Sequence, residues 1–215
     1  MGAEADREGD THDAIMGATY HALCKHGYAH LTMQDIADEF DKSRSLLHYH
    51  YDTKEELMLS YVDHSTGWIR RRLEESDTED PLERLAEFLD GLVIEPGQEE
   101  RETFALALTE LRVQAAHDQR FREKLDAQYE ENVNAVADII ADGADEGVLR
   151  AVDPHEVGEI MYTSMFGASM YQVTLGASRA TLRMREGISQ WVGEDLLVVD
   201  RTFPAYTGGD FSKND

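Results

Sequence analysis

Gln34, Ser43, Arg44, Ser45, His48, Tyr49 and Lys54 fall within one short stretch, TMQDIADEFDKSRSLLHYHYDTKEEL (32–57), and each can donate a hydrogen bond. Donors of this kind suit an acceptor-rich partner, such as phosphate oxygens and purine edges, where Arg44 can grip guanine bidentately. On a helix, Arg44, Ser45 and His48 share one side. Leu47 and Tyr51, four apart, point to another side that can pack on Ile36, Ala37 and Phe40. A short helix with such a wet face, and with free N–H groups at its start, is suited to the major groove of a duplex. Other chemistry finds less support. His48-x-His50 with Asp52 offers metal-ligand types, but residues two apart on a helix diverge by about 200°, so the imidazoles do not converge on one ion. No metal and no other cofactor is expected. A Gly-rich phosphate loop, a G-x-S-x-G elbow and an H-E-x-x-H pair are all missing, and the many Asp/Glu pairs read as solvated helix faces, so the chain does not read as an enzyme.

The elements that hold these side chains are marked by their caps. Thr32-x-x-Asp35 is a capping box that opens a short helix with Met33, Ile36, Ala37 and Phe40 on its apolar face. Ser43 to about His50 gives a second short helix, and Thr53-x-x-Glu56 opens a longer one that reaches roughly Glu75. The order is helix, turn, helix. In the turn, Asp41 can adopt the left-handed conformation at modest cost, and Lys42 can lay its stem over the core with its ammonium in solvent or on phosphate. Ahead of this, a helix from about Thr11 to His26 buries Ile15, Ala18, Ala22 and Leu23 and stops at Gly27. Further helices are expected at about 81–94, 98–117, 120–145, 155–175 and 178–193, with Asp80-Pro81 and Asp153-Pro154 as N-cap and first-turn pairs. No alternating strand pattern appears, so the class is all-α. Only the two ends read as disordered.

The 32–57 stretch resembles the DNA-binding domain of the TetR (tetracycline-repressor-like) family of transcriptional regulators. The likeness rests on Thr32, Ile36, Ala37, Ser43, Leu47, Tyr51, Lys54 and Leu57, with Thr53 in place of the serine before the lysine. Gly27-Tyr28 and the first helix extend it. Asp41, Lys42, Ser45 and His48 stand where the family has a turn glycine, a small aliphatic residue, a second glycine and an aromatic. The resemblance implies an N-terminal three-helix helix-turn-helix domain (1–53), a larger helical ligand-binding and dimerisation domain (54–193) and a flexible C-terminal tail (194–215). It further implies a regulator, in the first instance a repressor, that binds a palindromic DNA operator as a dimer and is released by a small apolar or amphipathic effector. By the same resemblance Ser43, Arg44, Tyr49 and Lys54 serve phosphate contact or register, Arg44, Ser45 and His48 read base edges, and Gln34 touches the DNA backbone. The helices near 155–175 and 178–193 would form the homodimer interface, while Trp68, Phe104, Leu108, His117, Tyr129, Tyr162 and Met165 would line the effector cavity. The alternative is a helical protein-interaction scaffold without operator binding.

That alternative is kept open by charge. The 215 residues carry 20 Lys and Arg against 44 Asp and Glu, a formal net charge of −24. Residues 1–57 alone hold five cations and twelve carboxylates, net −7, which repels a duplex at ordinary salt. The acids recur on nearly every segment and Lys is scarce, a pattern expected of a protein from an extreme halophile. In molar salt the Debye length is about 3 Å, so such carboxylates barely repel one another. Hydrogen bonds and shape must then supply the affinity for DNA, and its salt dependence is expected to be shallow or inverted. A lone Cys24 excludes an intrachain disulfide and fits a reducing cytoplasm, and the N-terminus has neither the basic nor the apolar region of a signal peptide. Residues 160–178 carry no charge, yet Thr163, Ser164, Ser169, Gln172, Thr174 and Ser178 are too many polar groups for a membrane span. An internal core helix and a subunit interface both fit that segment.

Overall fold

The computed structural model describes residues 2–74 and 76–208, with the side chains of 2–9, 66–72 and 74 outside the description. Among the described residues there are nine α-helices and no strand: α1 (Gly2–His30), α2 (Met33–Glu39), α3 (Arg44–His50), α4 (Lys54–Glu74), α5 (Pro81–Gly91), α6 (Glu99–Gln114), α7 (Gln119–Asp145), α8 (Pro154–Leu175) and α9 (Ala180–Trp191). A π-helical turn, Val192–Leu196, continues α9. No described helix is long and apolar enough to cross a membrane. The described chain divides into two compact units: residues up to Ser65 with Glu99–Leu125, and Thr66–Gln98 with those from Asp126 onward.

The first unit is larger than the 1–53 segment expected from the sequence, because α1 packs chiefly on α6. Ile15, Met16, Leu23, Ile36, Leu47, Leu57 and Met58 share a core with Ala107 and Leu111 of α6 and Phe121 of α7. The helix expected from Thr11 begins instead at Gly2. Ala3, Ala5 and Arg7 are good helix formers by residue type. Gly27 interrupts α1 with φ 65° and ψ 165°, a conformation that favours glycine, and one further turn follows, closed by the Leu31 N–H on the Gly27 carbonyl at 3.1 Å.

In the second unit, Asp80 and Asp153 cap α5 and α8 as the sequence suggests. Asp80 accepts from the Leu82 N–H at 2.9 Å and Asp153 from those of His155 and Glu156 at 3.0 and 3.2 Å, with proline in each first turn. Leu82, Leu85, Phe88 and Leu89 of α5 pack with Val133, Val136, Ile139 and Ile140 of α7, Met161 and Met165 of α8, and Ile188 of α9. Helix α8 has two faces. Val157, Met161, Met165, Ala168 and Gln172 are buried, whereas Ile160, Tyr171 and Leu175 remain 45, 55 and 72% exposed.

The segment expected to be a tail from Glu194 is, as far as Tyr206, held against this unit. Leu197 bridges to Leu149, Phe203 is buried, and the Tyr206 hydroxyl donates to Glu95 at 3.0 Å. Its main anchor is Arg185, fully buried. That guanidinium bonds Asp90 at 2.6 Å, Ser189 and the Pro204 carbonyl at 3.1 Å, and lies 5.1 Å from the centre of the Phe203 ring. The anchor is tertiary, so no helical period announces it.

Candidate nucleic-acid interface

Helix α2 starts on a complete capping box: Thr32 Oγ1 accepts from the Asp35 N–H at 3.2 Å, and Asp35 Oδ2 accepts from the Thr32 N–H at 2.8 Å and its hydroxyl at 2.6 Å. Those two bonds from Thr32 hold the Asp35 carboxyl below the usual carboxylate range. Phe40 ends α2 and is buried. No described non-glycine residue has a positive φ, so Asp41 does not use the left-handed conformation open to it; extended backbone at Phe40 and Ser43 makes the turn. Ser43 caps α3 by accepting from the Leu46 N–H at 3.3 Å. At about 100° per residue, Arg44, His48, Ser45 and Tyr49 span roughly 140° of that helix. All four are exposed, Tyr49 to 82%, while Leu47 on the opposite side is wholly buried. At its far end α3 is pinned by Tyr51, whose hydroxyl bonds Ser60 of α4 at 2.9 Å and lies 3.2 Å from His12 Nδ1 of α1. Tyr51 was expected only as an apolar partner of Leu47, because neither His12 nor Ser60 is close to it in sequence.

The remaining candidates are less free. Ser43 is exposed but engaged as a cap. The Gln34 amide donates to Asp38 at 2.5 Å, although its side chain stays exposed. Lys42 stays exposed, but its ammonium donates to Thr11 at 3.1 Å. Lys54 is half-buried, donates to the Tyr28 carbonyl at 3.2 Å and lies 4.5 Å from the centre of the Tyr28 ring. Lys25 pairs with Glu39 at 2.7 Å. Arg44 is thus the one described Lys or Arg of the helix-turn-helix with no partner in the chain. The second capping box is only half formed. Thr53 accepts from the Glu56 N–H at 3.1 Å, but Glu56 reaches back to the Asp52 N–H rather than to that of Thr53. His48 is exposed, and the His50 ring lies against those of Tyr49 and Tyr51. Among the described residues no group of three or more His, Cys, Asp or Glu is placed to hold a metal ion.

The residues expected to line an effector cavity are divided between the units. Phe104 packs on Tyr20 and Tyr61 in the first, together with Leu108, half-buried, and His117, exposed after α6. Tyr129, Tyr162 and Met165 belong to the second, and the side chain of Trp68 lies outside the described residues. Tyr129 donates to Glu159 at 2.6 Å, and that bond and burial push its phenol up to about 12. Tyr162 accepts from Asn132 at 3.0 Å in the core, where Met165 is fully buried. Of the six whose side chains are described, three belong to each unit. A shallow open groove of about 540 Å³, bordered by Glu83, Asp200, Arg201, Thr202 and Pro204, shares none of them.

Comparison with known proteins agrees with this geometry. Residues 15–61 match the profile of bacterial regulatory proteins of the tetR family, and residues 81–193 match the C-terminal domain of BetI-type transcriptional repressors. A TetR transcription regulator of Haloarcula marismortui has a crystal structure that superposes with a TM-score of 0.75 at 34% identity, over 85% of this chain and 96% of that one. The transcriptional repressor AcnR of Corynebacterium efficiens is 24% identical over 188 residues, 87% of this chain and 92% of its own length. An HTH-type transcriptional regulator from the lacX 3′ region of Lactococcus lactis is 32% identical over 92 residues, 41% of this chain and 47% of its own. These relatives are regulators rather than enzymes. The chain belongs to the TetR family of transcriptional regulators, whose members are typically repressors that bind operator DNA.

Proposed function

We propose that this regulator is a ligand-responsive repressor that grips a palindromic operator as a homodimer in a salt-rich cytoplasm. The observation that carries the reading is the outward face of α3, where Arg44, Ser45, His48 and Tyr49 are all exposed while Leu47 anchors the opposite side. Arg44, Ser45 and His48 read base edges. Ser43, Tyr49 and Gln34 set the register on phosphates, through donors their internal bonds leave available. Ile160, Ser164, Gly167, Tyr171 and Leu175 follow one another at helical spacing along the exposed side of α8, and a Cβ on Gly167 would meet nothing within 4 Å. That apolar, closely approachable face supports dimerisation through α8 and α9. Recognition of a small apolar or amphipathic effector is carried over from the family resemblance alone, because Tyr162 and Met165 are packed in the core of the second unit.

Two heads on one dimer reach successive major grooves if they stand about 34–36 Å apart. An effector acts by favouring another spacing; moving that equilibrium from 1:99 to 99:1 takes about 5.5 kcal/mol of differential affinity. The −24 net charge and the Haloarcula relative support a halophilic setting. Selection of duplexes from a random pool in 2 M KCl tests the reading. A palindrome with half-site centres about 10 base pairs apart is expected, and a pool without enrichment would favour the scaffold alternative instead.

A further inference from the structure

The peptide group between Tyr28 and Ala29 is held at both polar ends by opposite charges from two helices. Its carbonyl oxygen accepts from the Lys54 ammonium, at the start of α4, at 3.2 Å. Its N–H donates to Glu110 Oε2, on α6 and 81 residues away from Ala29, at 3.0 Å. Each charge faces the end of the peptide dipole it stabilises, ammonium on oxygen and carboxylate on N–H. Tyr28 is buried, its ring 6.5 Å from that of Phe121. Gly27, the residue that breaks α1, precedes Tyr28, and beyond Ala29 come His30, Leu31 and the capped start of α2. A Cβ on Gly27 would lie 3.4 Å from the same Glu110 oxygen.

We infer that Lys54 and Glu110 are positioning residues, a two-ended clamp on the Tyr28–Ala29 peptide that sets the direction in which the chain enters the helix-turn-helix. Gly27, one peptide upstream, admits either sign of φ, so the short turn that carries Tyr28 and Ala29 has more than one direction open to it relative to the body of α1. Swinging the turn about Gly27 would draw the carbonyl away from the ammonium and the N–H away from the carboxylate, a loss at both ends. The two charges therefore select one orientation, and with it the angle at which α1 hands over to α2 and α3. The inference rests on operator binding, because presentation of α3 is what the clamp governs. It also changes the meaning of Lys54, whose ammonium supports the chain's own backbone where the family resemblance would place it on phosphate.

A double-mutant cycle with K54M and E110A tests this on the selected operator. Affinities are titrated in KCl, and exchange of the Ala29 amide is followed without DNA. Each single variant should lose roughly tenfold in operator affinity, the scale of one charge-assisted hydrogen bond. The double variant should lose no more than the worse single, because breaking either end frees the same peptide. The slope of log K against log [KCl] should stay unchanged, E110Q should restore binding to within about threefold since an acceptor oxygen remains, and the Ala29 amide should exchange faster in E110A. If E110A does not fold, E110D, too short to reach, carries the cycle with the same expectation. Additive losses, with a slope on K54M reduced by about 0.9 per head, would make Lys54 a direct phosphate contact and overturn the clamp. Unchanged Ala29 exchange in E110A would overturn it as well. A wild-type chain that enriches no DNA sequence would defeat the operator reading, and the exchange experiment would still judge the clamp by itself.

Discussion

Raising KCl from 0.2 to 2 M should weaken operator binding far less than it does for most DNA-binding proteins. For B-DNA, log K falls by about 0.9 per tenfold rise in salt for each phosphate that a cation neutralises. In this helix-turn-helix Lys25 is neutralised by Glu39, while Lys42 and Lys54 keep their charge but are tethered to the Thr11 hydroxyl and the Tyr28 carbonyl, which leaves Arg44 as the described Lys or Arg untethered at the duplex, where besides reading a base edge it offsets at most one phosphate. One such contact per head gives a slope of about −1.8 per dimer, or roughly a 60-fold loss across that tenfold range. Eight phosphate contacts would lose about ten-million-fold over the same range. The exposed carboxylates of Asp38, Asp41 and Asp52 push the slope further toward zero, because cations must gather beside them when DNA approaches. Fluorescence anisotropy of a labelled operator, titrated at six or so KCl concentrations, measures the slope directly. A value steeper than about −4 would show that the internally bonded lysines leave their partners for phosphate, and the reasoning would fail.

R44A should lose about 1–3 kcal/mol of operator affinity per head and relax the preference at one base pair, read by competition with single-base operator variants, while dimerisation is unaffected. R185M should lower folding stability by about 3–5 kcal/mol in denaturant titrations, because Asp90 and the Pro204 carbonyl lose the buried group that pairs them. Burial pushes the Cys24 thiol up to about 11, so alkylation by iodoacetamide should stay slow at pH 8. The neutral thiol is the form the fold prefers. Its contribution to stability is therefore complete below the unfolded thiol's value of about 8.5 and fades as pH climbs through 11, which melting curves in alkaline buffers would register. I160E, placing a charge on the exposed face of α8, should convert the dimer to a monomer in sedimentation experiments; an unchanged sedimentation coefficient would remove α8 from the interface.

Local signals were legible in the sequence and distant ones were not. The caps at Thr32, Ser43, Asp80 and Asp153 act within three residues of themselves, so their types and spacing suffice to place α2, α3, α5 and α8. Burial of Ile15, Ala18, Ala22, Leu23 and Leu47 follows from helical period for the same reason. Gly27 was recognised as a stop, yet the extra turn that follows it depends on Glu110, far along the chain. Lys42 and Lys54 illustrate the same limit from the charged side. Both are of a type that suits phosphate, and only tertiary structure reveals that Thr11 and Tyr28 already hold them. The uncharged run at 160–178 looked uniform because the buried and exposed faces of α8 both mix apolar with small polar residues and carry no charge there. Its residues divide between the core and the outer side only when the neighbouring helices are in place.

Arg185 gives the end of the chain a practical importance. Ending expression at Leu196, where regular helix stops, would remove Phe203 and Pro204 and leave a desolvated guanidinium facing an empty slot. Fusion partners or purification handles are therefore better attached after residue 208 than grafted onto a shortened C-terminus, and low yield from a trimmed version would reflect this lost plug rather than any defect in DNA recognition.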